Sequence, residues 1–327
     1  MVARPLALHS PPAMAQLPDH IVARRAQGRA RRRRRQTAAL GTLLVALIAA
    51  IVILIASNHD ATKHQPQPSA TNRVVEAGPV TPVHRLSSLD ARGNATIRRL
   101  AALALPVYCA GPHGHELAFT FDDGPGVYTH YAVKKLTQAH ERATFFVVGK
   151  SIEAWPGWLP RELKVATLGD HTFTHSDLLE LPPTEVASEL ESNKRLIERE
   201  SGQPVDLFRP PYGAQDATVN QIAKRLGLLD IMWSMDSRDS LGANWAGIID
   251  NVESDLRPGA IILMHENRGQ TIRALTTLLP VLRQRHLRSV TLPELFATDP
   301  PSPAQLRRGL NACVGHPTSL GNLAGAG

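Results

Sequence analysis

From about residue 107 onward, the chain alternates short apolar segments with amphipathic helical segments. The apolar segments that we predict as strands are 117–121, 143–148, 205–208, 230–233, 260–264 and 288–292. The predicted helices between them are 131–140, 184–200, 215–226, 248–256 and 271–285. This alternation favours a mostly parallel sheet covered by helices, either a barrel or a doubly wound sheet. In such folds the reactive groups gather where the strands end.

The basic charge of the chain is confined to its N-terminus. Residues 1–36 hold nine arginines and one acid, which accounts for the whole formal net charge of +7. The rest of the chain is close to neutral, so the composition argues against a nucleic-acid-binding domain.

An uncharged apolar segment, 37–57, follows the arginines directly. About 20 such residues cross a hydrocarbon core as a helix, so we predict a single transmembrane helix here. The arginines before it make 1–36 a cytoplasmic tail and place the rest of the chain outside the cytoplasm, at the cell membrane. A cleaved signal peptide is the alternative, but Leu54 and Ala56 make a poor small-x-small cleavage site.

Further composition changes divide the rest of the chain. Residues 58–89 are polar and contain prolines, which is typical of a linker. Residues 90–106 carry apolar side chains at helical spacing and are predicted to form a helix at the edge of the domain. The main domain is predicted over 107–300, and 301–327 form a C-terminal tail.

The chain has two cysteines, Cys109 and Cys313. Outside the cytoplasm they can form a disulfide that joins the start of the domain to its tail. Two unpaired thiols are the alternative, and either state would be structural.

Two polar clusters have the composition of a metal site. Asp122 and Asp123 follow a predicted strand and precede Gly-Pro, although an Asp-rich turn has the same composition. His171 and His175 are spaced i, i+4 and can converge on one ion if the segment is helical or tightly turned. A carboxylate and two histidines leave a coordination position open for water, as catalytic zinc sites do.

Three further polar clusters follow in the sequence: RPPYG at 209–213, DSRD at 236–239 and LMHE at 263–266. Each alone is also compatible with solvated surface. Five clusters, most of them at the ends of predicted strands, indicate one site.

Read in order, TFDDGP, HTFTH, RPPYG, DSRD and LMH resemble the five motifs of the polysaccharide deacetylases, the NodB-homology domain of carbohydrate esterase family 4. The resemblance covers roughly residues 107–300. It implies an α/β fold, a distorted (β/α) barrel with fewer than eight regular strands, and a metal-dependent hydrolase that removes N-acetyl groups from a polysaccharide.

The resemblance also implies roles for the residues of the first three motifs. Asp122 resembles the general base, held in place by Arg209. Asp123, His171 and His175 resemble the ligands of a divalent metal, which we expect to be Zn²⁺.

The remaining roles belong to the acid and the substrate pocket. His265 resembles the general acid, and Asp239 the group that orients it and raises its pKa. The backbone N–H of Tyr212 would stabilise the oxyanion, and Leu263 would line the pocket for the acetyl methyl group.

The sequence departs from the family after Asp239, where a tryptophan usually walls the sugar pocket and this chain has Ser240. Trp245 is close enough in sequence to fill that space. The departure affects the fit of the substrate more than the chemistry.

Location outside the membrane makes an N-acetylated polysaccharide of the cell wall, peptidoglycan, the expected substrate. An O-acetyl esterase acting on a xylan-like glycan is an alternative with the same machinery. A catalytically inactive carbohydrate-binding protein is another, but such a protein would be expected to lack a ligand or the base.

Overall fold

The computed structural model describes residues 88–313. Its helices are α1 (Ser88–Ala101), α2 (Thr129–Ala139), α3 (Gly149–Ala154), α4 (Leu159–Glu162), α5 (Pro183–Ser201), α6 (Ala217–Arg225), α7 (Trp245–Glu253), α8 (Gly269–Gln284), α9 (Leu292–Thr298) and α10 (Pro303–Arg308). Its strands are β1 (Glu116–Gly124), β2 (Ala143–Val147), β3 (Ala166–Asp170), β4 (Leu207–Phe208), β5 (Leu229–Asp230), β6 (Met235–Asp236), β7 (Ile261–His265) and β8 (Arg288–Ser289). Short 3₁₀ helices occupy Leu178–Glu180, Pro211–Gly213 and Gly309–Ala312.

Three predicted N-terminal segments lie outside the described residues: the tail 1–36, the transmembrane helix 37–57 and nearly all of the linker 58–89. Within 88–313, no helix has both the length and the hydrophobicity needed to span a membrane.

The strands form one parallel sheet in the order β5-β4-β3-β2-β1-β7-β6, and β8 pairs with the first residues of β1. Because all these pairs are parallel, the carboxyl ends of the strands meet at one edge of the sheet. The register places Asp122 of β1 beside His265 of β7, and Asp170 of β3 beside Phe208 of β4. The motif residues therefore converge at this edge.

The two outermost strands of the sheet are consecutive in the chain. β5 and β6 lie at opposite ends of the strand order, yet only residues 231–234 separate them. The five steps of the chain from Asp230 to Met235 reach no farther than about 18 Å, so the two edges must lie near each other. The sheet therefore curls into a distorted barrel of parallel strands, as the family resemblance implied, with seven strands along its path.

Alternation along β1 separates two apolar cores. Leu117, Phe119 and Phe121 belong to the core under the surrounding helices, whereas Ala118 belongs to a second core inside the barrel. Helices α1 and α9 pack against the inner core through Ile97 and Phe296, among others. By the two-residue period of a strand, Thr120 and Asp122 also face the interior.

Two strands were missed by the sequence analysis, and one predicted strand was wrong. β3 contains Gly169 and few apolar residues, and Gly169 leaves room for the ring of Phe146, which occupies the space that a side chain there would need. The predicted strand 230–233 is instead the end of β5 and the connection to β6. Such two-residue strands are defined by their neighbours and carry no periodic pattern of their own.

Both ends of the domain differ in detail from the sequence prediction. The edge helix ends at Ala101 rather than near residue 106, because Ala104 has a positive φ of 52° and Pro106 disfavours helix before it. Residues 303–312, predicted as part of a tail, form α10 and a 3₁₀ helix. Cys313 then forms a disulfide with Cys109, as the sequence had allowed.

Reduction of this disulfide is expected to destabilise the protein. The cysteines are 204 residues apart in sequence. Closing a loop of this length stabilises the folded state by roughly 5 kcal/mol in the chain-entropy model, which sets an upper limit. Urea unfolding of the oxidised protein and of a Cys109→Ser/Cys313→Ser variant measures the difference. Equal free energies of unfolding would show that the bond contributes nothing.

Candidate active site

The end of β1 presents two adjacent carboxylates in different directions. Asp122 is the last residue in regular register and is buried, with 3% of its surface exposed. The register shifts at the next residue, where Asp123 has a φ of 76°. Among residues other than glycine, Asp tolerates this left-handed conformation better than most. The conformation lets Asp123 leave the strand and face the histidines of the loop that follows β3.

The segment 171–175 is a tight turn, the second of the two conformations that the i, i+4 histidine spacing allowed. Thr172 and His175 both have positive φ values, 64° and 60°. The Thr172 hydroxyl accepts a hydrogen bond from the backbone N–H of His175 at 3.0 Å. Asp170 in turn accepts one from the backbone N–H of Thr172 at 2.8 Å. The turn thus brings both imidazoles to the same side.

Helix α5 holds this turn through two side chains that the sequence analysis missed. Glu189 accepts hydrogen bonds from the backbone N–H and the hydroxyl of Thr174, both at 2.8 Å. Asn193, four residues later and fully buried, donates to Asp170 at 2.8 Å. Asn193 occupies a position in the apolar stripe of α5, which was the available sequence signal.

Asp123, His171 and His175 form the one group of three potential metal-binding side chains found among residues 88–313, with their ligand atoms all within 4.8 Å of one another. Asp123 Oδ1 lies 3.0 Å from His175 Nε2 and 3.6 Å from His171 Nε2. Although it is this close to both, the buried Oδ1 accepts no well-aligned hydrogen bond. Three atoms that surround a common point without bonding to each other fit a divalent cation.

The hydrogen bonds behind these groups fix their orientation. His171 Nδ1 lies 2.7 Å from the carbonyl oxygen of Arg209, which can only accept, so Nδ1 carries the proton. Nε2 therefore faces Asp123 with its lone pair available, as metal-binding histidines require. Asn267 donates to Asp123 Oδ2 at 3.0 Å and leaves Oδ1 for the ion.

The carboxylates and imidazoles of this cluster favour each other's charged forms. Burial opposes ionisation of Asp123, but the nearby imidazoles of His171 and His175 outweigh burial and hold the pKa of Asp123 below its ordinary value. Burial likewise opposes a charge on His171, whereas the carboxylates of Asp122 and Asp123 raise its pKa. The site therefore attracts positive charge.

Arg209 is fully buried and fixes Asp122. Its Nη1 donates to Asp122 Oδ1 at 2.9 Å and to the Thr120 hydroxyl at 2.8 Å, while Nε donates to the carbonyl of Ile231 at 2.9 Å. The guanidinium also lies 4.2 Å above the ring of Phe146. Asp122 therefore keeps one oxygen engaged and turns Oδ2 toward the centre of the site, 3.7 Å from His171 Nε2.

His265 and Asp239 form a second charged pair beside the metal-site cluster. Asp239 Oδ1 accepts from His265 Nδ1 at 2.6 Å, and Oδ2 accepts from the backbone N–H of His265 at 2.7 Å. Thr271, which the sequence analysis also missed, donates its hydroxyl to the same carboxylate at 2.5 Å. Because Nδ1 is the proton donor to Asp239, His265 Nε2 is the nitrogen left for a substrate.

The electrostatic balance favours a protonated His265. Burial of the imidazole lowers its pKa, but the hydrogen bond and negative charge of Asp239, with smaller effects of Asp122 and Asp123, raise it to about 9. The imidazolium is thus the main form at neutral pH.

The residues predicted to contact substrate lie around this cluster. Tyr212 has a φ of 61°, is 70% exposed, and places its hydroxyl 3.2 Å from His175 Nδ1. Leu263 lies two residues before His265 on β7 and so faces the same side of the strand. Ser240 is exposed, and the ring of Trp245 packs 4.4 Å from the guanidinium of Arg273 on α8. Trp245 is therefore engaged with its neighbouring helix.

The carboxyl end of this parallel barrel carries an Asp-His-His cluster, a second aspartate and a carboxylate-bound histidine. These are the parts of a metal-assisted hydrolase. The family model for polysaccharide deacetylases matches residues 110–230. A peptidoglycan-N-acetylglucosamine deacetylase of Bacillus cereus is 32% identical over 198 residues, which are 58% of this chain and 71% of the relative. A chitooligosaccharide deacetylase of a Bradyrhizobium species is 34% identical over 193 residues, which are 54% of this chain and 88% of the relative.

A crystal structure of a peptidoglycan N-acetylglucosamine deacetylase also resembles the chain, with a TM-score of 0.57 at 29% identity over 61% of this chain and 95% of that one. The chain belongs to the polysaccharide deacetylase family, carbohydrate esterase family 4. It is therefore an N-deacetylase of the hydrolase class, in a family whose deacetylases depend on a metal.

Proposed function

We propose that the protein removes N-acetyl groups from an extracytoplasmic amino-sugar polymer and that this polymer is peptidoglycan. One relative is named for deacetylating N-acetylglucosamine in peptidoglycan and another for deacetylating chitooligosaccharides. The arginine-flanked segment 37–57, if it anchors the chain as predicted, would put the domain on the same side of the membrane as the cell wall.

The observation that carries the proposal is the position of His265, bound to Asp239 and beside Asp122 across neighbouring strands. Hydrolysis of an amide needs a base to take a proton from water and an acid to protonate the leaving amine. Asp122 Oδ2 is available for the first transfer. His265 Nε2 is available for the second, and its raised pKa keeps a proton there at neutral pH.

Asp123, His171 and His175 would hold the cation, and Zn²⁺ suits a set of two imidazoles and one carboxylate. When bound, Zn²⁺ supplies a Lewis acid that polarises the acetyl carbonyl and acidifies water. Arg209 fixes Asp122 for proton transfer. The backbone N–H of Tyr212 would bind the developing oxyanion, and Leu263 would receive the acetyl methyl group.

Replacing Asp239 by Asn is expected to shift the alkaline limb of the pH–activity profile. The imidazolium of His265 is present below its pKa of about 9 and is lost as the pH rises through that value. Without the Asp239 carboxylate the pKa falls, so activity should be lost at a lower pH than in the unchanged protein. A bound cation offsets part of the rise in the pKa of His265 that Asp122 and Asp123 cause. The Asp239→Asn variant measures the part of that rise that is due to Asp239. An alkaline limb that does not move would remove His265 from the role of acid.

The substrate is tested by measuring acetate release. Full-length protein, purified in detergent, is incubated with peptidoglycan, with chitin oligomers and with acetylxylan. We expect peptidoglycan to give the highest kcat/KM. Preferential release from acetylxylan would indicate the O-acetyl esterase instead, and release from none, with metal bound, would indicate an inactive carbohydrate-binding protein.

A further inference from the structure

The exposed apolar side chains of residues 88–313 are concentrated on the active-site end of the barrel. Eight large apolar side chains in this range are at least 39% exposed. Six of the eight lie after the carboxyl end of a strand, each closer in sequence to the strand before it than to the next: Val127, Tyr131, Trp155, Leu179, Tyr212 and Leu241. A single exposed apolar side chain is ordinary, but a contiguous group of them marks a binding surface.

Two of these six side chains belong to a group of aromatic rings that has no role in the chemistry described above. Tyr131 of α2 is 47% exposed, and its ring centroid lies 3.6 Å from that of His130, which is also exposed. The His130 ring lies 6.2 Å from the ring of Trp158, the residue before α4, and the guanidinium of Arg161 lies 4.5 Å from that same indole. Trp155, 40% exposed, begins the short loop that ends at Trp158. We call His130, Tyr131, Trp155 and Trp158 the aromatic patch.

The aromatic patch begins beside the active site. Thr129, the first residue of α2, donates its hydroxyl to Glu266, which directly follows the proposed acid His265. Tyr131 is two residues farther along α2, and two steps of the chain reach no farther than about 8 Å. A polymer that leaves the active site over the start of α2 therefore meets the ring of Tyr131.

The side chains of the aromatic patch suit a sugar better than a lipid or a helix. One face of a pyranose ring presents C–H groups, which pack on an aromatic ring, and its edge presents hydroxyl groups. Tyrosine, tryptophan and histidine each combine a flat ring with a polar atom at its edge. A surface that binds lipid is typically richer in aliphatic side chains and in lysine and arginine, whereas Arg161 is the cation in contact with these rings.

We propose that the aromatic patch is a second binding site for the glycan strand and holds sugar units beyond the one that is deacetylated. The identity of the polymer rests on the function proposed above, whereas binding of a glycan to the patch needs neither the metal nor the catalytic groups. A strand held at both places binds more tightly than one held only at the active site, because the second contact is intramolecular. The patch thus favours long chains over short oligomers.

Binding is measured by co-sedimentation of full-length protein with insoluble peptidoglycan and with chitin, in a chelator that prevents turnover. Tyr131→Ala and Trp155→Ala should each lower the affinity for the polymer by about 2- to 10-fold, the contribution expected of one stacked ring. Tyr131→Phe and Trp155→Phe retain a ring and should retain most of the affinity. Leu103→Ala is the matched control, because Leu103 is 52% exposed but lies in the segment after α1. It should bind like the unchanged protein.

Kinetics with metal present gives a second readout. A two-sugar chitin oligomer is too short to span both sites, so the ratio of kcat/KM for the polymer to kcat/KM for this oligomer should fall in both Ala variants.

Unchanged polymer affinity in both Ala variants would overturn the second site, and so would equal losses in the Ala and Phe variants. If the patch instead bound a second copy of the chain, the Ala variants would lose self-association in sedimentation and keep their polymer affinity, which would also overturn it. Polymer binding that depends on the patch, without acetate release from any substrate, would reject the proposed deacetylase function and leave the second site standing.

Discussion

Asp122→Asn is expected to lower the rate of acetate release by on the order of 10²–10⁴-fold while the metal stays bound. The carboxamide has the size of the carboxylate and can still accept from Arg209, which lies 2.9 Å from Asp122 Oδ1. It cannot take a proton from water. The proposed ligands Asp123, His171 and His175 are unchanged, so metal content should be preserved. Acetate release and metal content measured on the same sample test the assignment.

The same substitution should also destabilise the fold. Arg209 is fully buried, and removing the charge of its partner from a buried pair typically costs about 3–5 kcal/mol. The assay must therefore be run well below the unfolding temperature. Asp230→Asn is the matched control, because Asp230 is a buried aspartate whose charge also acts on Arg209 but which lies outside the proposed chemistry. Near-normal turnover in Asp122→Asn would remove Asp122 from the role of base.

His175→Ala is expected to abolish stable metal binding. His175 Nε2 is 3.0 Å from Asp123 Oδ1 and supplies one of three protein ligand atoms. Removal of a group that only hydrogen-bonds to a ligand can reduce metal affinity by about 100-fold. Loss of the ligand His175 itself should reduce the affinity further. Acetate release should fall in parallel, and a large excess of Zn²⁺ should restore it only in part. Metal content after dialysis measures the effect.

His113→Ala is the control for that substitution. His113 is an exposed histidine that bonds to Asp299, next to the disulfide, and it takes no part in the site. This variant should retain both metal and activity. If His175→Ala retained its metal, His175 would not be a ligand.

The alternation of strands and helices predicted a parallel α/β sheet with its polar clusters at one edge, and the family resemblance implied the barrel and the roles of the site residues. Asp122, Arg209 and His265 are far apart in the chain, yet they lie at the carboxyl ends of β1, β4 and β7, which meet at one edge of the sheet. The histidine spacing predicted convergence but left the conformation open. The segment 171–175 is a tight turn, because Thr172 and His175 have positive φ values and the Thr172 hydroxyl accepts a hydrogen bond from the backbone N–H of His175.

The groups that hold the site were much less predictable. Glu189, Asn193 and Thr271 act through single hydrogen bonds from other elements, and no spacing rule connects them to the residues that they orient. β3 was missed for a similar reason, because Gly169 serves the packing of Phe146 rather than a strand pattern. Tertiary contacts of this kind are not encoded in local periodicity.

Anomalous scattering from crystals of the full-length protein soaked with Zn²⁺ would locate the ion directly. One strong peak is expected about 2.0–2.2 Å from Asp123 Oδ1, His171 Nε2 and His175 Nε2. Asp122 Oδ2 should face the remaining coordination position without occupying it. A fully occupied ion bound elsewhere, with these three side chains left uncoordinated, would contradict the proposed active site.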